Sequence, residues 1–144
     1  MNHRIAAAGI GCTLALLLTS GATASEIKGA AILDHPCGKT AVKQMGLLHA
    51  GKIDEANKLS TKEMQAQWQK MPAKDRDMMS GMMKQMSSSE QDFANNIKSN
   101  GVLDVQGQNA TLTVKKTTKD KNGSSTSTMT QKYRVDGSQC LVSQ

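Results

Sequence analysis

Aromatic residues are nearly absent from this chain, which has one Trp, one Tyr and one Phe in 144 residues. No basic and aromatic cluster of the kind that binds nucleic acid can be assembled from them, and the core must be filled by other side chains. Proline is as scarce, and its two copies, Pro36 and Pro72, act as punctuation. Three cysteines and three histidines give no zinc-type ligand spacing. Gly-x-Ser-x-Gly and a glycine-rich phosphate loop are missing, which removes the commonest nucleophile and nucleotide signatures. The excess of one charge is mild, with 18 basic and 12 acidic residues for a net +6, a balance compatible with a soluble protein touching anionic envelope material. No apolar run reaches the length of a membrane span, the longest being 5–18.

That run is informative in itself. Arg4, the apolar stretch and the small residues Ala22-Thr23-Ala24 before Ser25 read as an export signal cut after Ala24; the alternative is a retained anchor. Cys12 lies too early in the run to be a lipid-attachment cysteine. Cleavage leaves residues 25–144, enough for one domain with one core, in a periplasmic or secreted protein without a stable membrane anchor. Loss of Arg4 lowers the formal charge from +6 to +5. Cys37 and Cys140 then remain in an oxidising compartment, where pairing is expected; free thiols or a metal pair are the alternatives.

Helical signals fill the first two thirds. Pro36 sits where a first turn tolerates it, Ala41, Val42, Met45, Leu48 and His49 recur at helical spacing, and Gly51 ends that helix. A short turn over 52–59 buries Ile53, Ala56 and Leu59. Ser60 with Glu63 reads as a capping box for a helix carrying Met64, Trp68 and Met71, and Ser87 with Glu90 as another, for a helix carrying Phe93, Ala94 and Ile97. Between them lies 73–86, which contains MMSGMMKQM. From Val102 the period changes to two, and 102–106, 110–117, 126–135 and 138–143 read as four strands, with Asp136-Gly137 the strongest hairpin signal. Residues 25–34 read as a lead-in. Helices followed by strands predict an α+β fold, N-terminal helices covering a curved antiparallel sheet of about four strands.

The segment AVKQMGLLHAGKIDEANKLS (41–60), the capped helices, and the strand-rich tail NATLTVKKTT…STMTQKYRVDGSQCLVS (109–143) together resemble the nuclear transport factor 2-like (cystatin-like) superfamily. The likeness is to its small secreted bacterial proteins of unknown function. The turn over 50–56 and the hairpin at Asp136-Gly137 carry it. The resemblance implies a cone-like fold with an interior pocket and, as a habit of relatives, a homodimer through the sheet. A Trp that often follows the last turn is replaced here by Cys140-Leu141. The acidic, His and Tyr residues that line the cone in enzymes of the group are reduced to Tyr133.

The functional expectation is therefore an exported, non-catalytic binding protein with no cofactor and no nucleic-acid partner. It would take a small apolar or amphipathic ligand, or an envelope protein, at a pocket or sheet face. Trp68, Met79, Met83 and Tyr133 are the pocket candidates. An alternative is copper handling: thioethers suit Cu(I), and Met78, Met82 and Met86 fall at i, i+4 and i+8. The same spacing is what a buried helix face needs, so the stripe is expected to pack on the sheet as a soft core. A small cone enzyme is the second alternative. Lys115, Lys116, Lys119, Lys121, Lys132 and Arg134 read as strand residues that discourage edge pairing, or as a patch for an anionic surface.

Overall fold

A computed structural model describes residues 24–121 and 123–144. The leader expected over 1–24 thus lies outside the described residues except for Ala24. The order is β1 (Ser25–Lys28), a 3₁₀ turn (Gly29–Leu33), α1 (Pro36–His49), α2 (Ile53–Asn57), α3 (Lys62–Lys70), α4 (Ala73–Met86), α5 (Glu90–Asn100), β2 (Gly101–Gln106), β3 (Asn109–Asp120), β4 (Gly123–Asp136) and β5 (Gln139–Ser143). This is an α+β fold with five strands, not four. The lead-in is itself a strand: Ser25–Lys28 pairs antiparallel with β2, Ile27 opposite Leu103. Four residues with one inward apolar side chain carry too little alternation to announce a strand.

The sheet runs β1-β2-β3-β4-β5, every neighbour antiparallel. Two-residue loops join β2 to β3 and β4 to β5. Each begins with a glycine in the left-handed region, Gly107 at φ 59° and Gly137 at φ 58°, which is what primed hairpin turns require. β3 and β4 outrun their neighbours. Pairing with β2 stops at Val114 and pairing with β5 begins at Lys132, whereas β3 and β4 stay paired to Asp120 and Gly123. Residues 115–118 and 123–128 are exposed along both faces, so the expected turn region is instead a two-stranded arm projecting past the helices.

One face of the sheet is covered. Leu103, Ala110, Leu112, Val114, Tyr133, Cys140 and Val142 alternate inward against Phe93 and Ile97 of α5, Ile32 of the 3₁₀ turn, and Cys37 and Ala41 of α1. Methionine does serve as soft filler here, with Met45, Met64 and Met129 half-buried against this cluster. Gly38 of α1 lies against the Ile32 carbonyl so closely that a Cβ would overlap it, which lets the helix start seat on the 3₁₀ turn. Beside it, Cys37 and Cys140 form a disulfide, and the Thr40 hydroxyl donates to the Cys140 carbonyl at 2.8 Å. Both tie the first helix to the last strand.

Helix starts are shifted from the expected boxes. Ser60 is captured by the sheet: Thr61 N–H donates to the Val142 carbonyl, and Val142 N–H to the Leu59 carbonyl, both at 2.9 Å. These bonds strap the free edge of β5. The N-cap of α3 is therefore one residue later, Thr61, and the helix begins at Lys62. The Glu63 carboxyl lies below its usual range, held first by its own backbone amide and then by the Thr61 side chain. For α5 the cap is Ser89, whose Oγ accepts from Asp92 N–H at 3.2 Å. His35 caps α1 through Nδ1, which accepts from Cys37 N–H at 3.2 Å, and burial lowers its pKa, favouring the neutral ring that this bond needs.

Tyr133, 1% exposed, titrates above the ordinary 10.0 because burial disfavours the phenolate. Above pH 10 an unfolded chain releases this proton and the folded chain keeps it. Stability is thus complete below pH 10 and falls by up to about 1.4 kcal/mol per pH unit above it. Alkaline unfolding titrations of wild type and Tyr133→Phe check this. The variant should lose that slope, and identical slopes would contradict the burial assignment.

Candidate functional site

The helices make two layers over the sheet. α1 and α5 rest on the strands, while α4 packs chiefly on α1 and buries none of its residues completely. Its inward side is Arg76, Met79, Ser80 and Met83, all half-buried. Its outward side is Met78, Met82 and Met86, which are 62%, 55% and 82% exposed. The expectation that this stripe packs on the sheet is overturned. Helical periodicity is the same for a face on a sheet and a face on water, and here a shorter stretch, Phe93 with Ile97, took the place on the sheet.

The pocket candidates are likewise dispersed. Tyr133 is a core residue. Met79 and Met83 face α1, away from the sheet. The space that would be a cone's interior is occupied by Phe93, Ile97, Leu103, Leu112 and Tyr133. Trp68 alone lines a concavity, and that concavity lies among helices. α2, α3 and the start of α4 enclose an open groove of about 410 Å³ lined by Gly51, Ile53, Asp54, Trp68, Ala73, Arg76, Asp77 and Ser80.

Local sequence builds this groove. Pro72 ends α3 and caps α4, turning the chain so that the first turn of α4 comes back toward α2. Trp68 Nε1 donates to Asp54 Oδ1 at 3.1 Å, fixing the indole against α2. Arg76 brings a guanidinium whose Nε is buried without a hydrogen-bond partner among the described residues. It also has no carboxylate within ion-pair distance; the ion pairs among the described residues are Lys28–Glu26 and Lys52–Glu55. A buried guanidinium nitrogen without a partner costs stability. Sequence reasoning missed Arg76 and Asp54, because residues 22 apart, one at a short turn and one on a later helix, carry no joint signal.

A second open groove, about 440 Å³ between α1 and α5, has Leu33, Val42 and Ala94 with Lys39, Lys43 and Glu90, and no aromatic side chain. Among the described residues no three His, Cys, Asp or Glu side chains gather as a metal site, and no helix is long and apolar enough to cross a membrane.

No family model matches this chain, and no curated protein or solved structure matches it either.

Proposed function

We propose that this chain is an exported, non-catalytic binding protein of the bacterial envelope, periplasmic or secreted, that takes a small zwitterionic ligand of the amino-acid or short-peptide class in the groove among α2, α3 and α4. The observation carrying this is the convergence of Arg76, Asp54, Asp77 and Trp68 on one concavity of about 410 Å³, a volume typical of small-molecule sites. The guanidinium suits a carboxylate, the two aspartates suit an ammonium group, and the indole offers a flat apolar wall. The disulfide supports export, and the locking of both thiols supports a non-catalytic role. Membership of the nuclear transport factor 2-like superfamily belongs to the same proposal and is supported by helices preceding an antiparallel meander.

The test uses the disulfide-bonded chain, thermal scans and calorimetry with the twenty amino acids and glycylglycine. At least one should raise the melting temperature of wild type. Arg76→Met should lose about 2 kcal/mol or more of that binding. The unliganded variant should be as stable as wild type or about 1 kcal/mol more so, since a buried unpaired nitrogen is removed. Loss of more than about 1 kcal/mol in the free variant would make Arg76 structural and end this reading.

A further inference from the structure

The outward face of α4 goes beyond the groove and stands on a different observation. Three thioethers at 62%, 55% and 82% exposure lie in line on a 14-residue helix. Scattered exposed apolar residues are ordinary. These are not scattered, and they are the only large hydrophobic side chains that stand out as exposed among the described residues. Elsewhere the same residue type is tucked against the core, at Met45, Met64 and Met129. α4 also tolerates Gly81 between the second and third turns, at roughly 1 kcal/mol relative to alanine. A Cβ there would meet nothing within 4 Å, so no neighbouring element sits over that part of the helix.

The geometry points to a soft monovalent cation, Cu(I) or Ag(I), bound by thioether sulfur with Met82 as the central donor and Met78 and Met86 as its partners. Residues four apart on a helix have Cβ atoms about 5–6 Å apart. Three rotatable bonds let each sulfur swing toward its neighbour. Met82 can therefore share an ion with Met78 on one side or Met86 on the other. Soft thioethers select Cu(I)-like ions over hard divalent ones.

Two further features fit. The thiols that would compete as softer ligands are closed in the Cys37–Cys140 disulfide. Of the two lysines on the helix, Lys74 lies two turns from Met82, the central donor, and Lys84 is laid over Gly51 at the end of α1, its Nζ 3.8 Å from where a glycine Cβ would be. There it complements the C-terminal end of that helix. Hard ligands do not contribute: no group of three His, Cys, Asp or Glu side chains is assembled among the described residues.

The experiment titrates Ag(I), a redox-inert probe, into the disulfide-bonded protein carrying ¹³C-labelled methionine methyls. Wild type should bind one ion per chain with a dissociation constant of about 1 μM or tighter. The methyls of Met78, Met82 and Met86 should shift while those of Met45, Met64 and Met129 stay in place. Leucine keeps the apolar surface and the helix propensity but removes sulfur. Met82→Leu should weaken binding at least ~10-fold, since changing even an outer-shell partner of a metal ligand costs about 10–100-fold, and Met78→Leu/Met82→Leu/Met86→Leu should abolish it. Met79→Leu/Met83→Leu should leave it intact. Wild-type binding weaker than about 1 mM would leave the face a merely apolar surface and overturn the assignment. So would a triple leucine variant that still binds, or Zn(II) binding as tightly as Ag(I).

Discussion

Replacing Cys37 and Cys140 together by alanine should lower folding stability by about 4–5 kcal/mol, the value the chain-entropy picture assigns to a cross-link closing a loop of about 100 residues. The bond here spans a sequence separation of 103. Single domains are commonly stable by about 5–15 kcal/mol, so the double variant should approach marginal stability. Packing adds to the loss, because Cys37 and Cys140 are 0% and 3% exposed inside the cluster that joins α1 to the sheet. The Thr40 to Cys140 hydrogen bond is too weak a link to compensate, at about 1 kcal/mol. Urea unfolding of the oxidised protein and of the double variant measures the difference. A variant within about 1 kcal/mol of wild type would mean that the helices and β5 hold together without the bond.

Phe93→Ala is expected to cost about 3–5 kcal/mol, the range for truncating a buried aromatic. Phe93 is 4% exposed, the only phenylalanine, and it stands on α5 where that helix meets the sheet. The instructive comparison is Met82→Ala, a truncation of similar kind on a helix one layer out, which should change stability by no more than about 0.5 kcal/mol. Denaturant midpoints should separate the two variants widely at unchanged slope. Equal losses would show that α4 packs more deeply than described.

Much of the fold was legible in the sequence because its signals are local. The period changed from helical to alternating near Val102, and β2 begins at Gly101. Pro72 and the break near Ser87 bounded α4 at Ala73–Met86. Where local signals compete with tertiary ones, the reading slipped. Ser60 has the chemistry of a cap, but its neighbours' backbone groups are taken by β5, and the helix waits for Thr61. Ser25–Lys28 becomes a strand only because β2, far along the chain, offers an edge. The cysteine pairing could be anticipated from the expected export and the cysteine count.

The candidate site was legible only in pieces. Trp68 stood out by rarity, and the methionine stripe by spacing. The depth of that stripe was not readable, since a period tells which residues share a face and not what the face meets. Asp54 and Arg76 are ordinary charged residues at helix starts until Pro72 turns the chain and sets them on one groove. Convergence of that kind is a property of three elements at once.

The Cys37–Cys140 bond has a last consequence, for how the protein withstands proteolysis. It encloses every helix from the second residue of α1 onward, and the whole β3–β4 arm, in a single covalent ring. The described residues of the arm, 115–118 and 123–128, are exposed and their strands are unpaired along the outer edges. A protease that cuts there opens the ring without dividing the molecule. The two fragments stay joined through the disulfide, and their strands remain in register with β2 and β5, so the groove and the outer helix can outlast the loss of the arm.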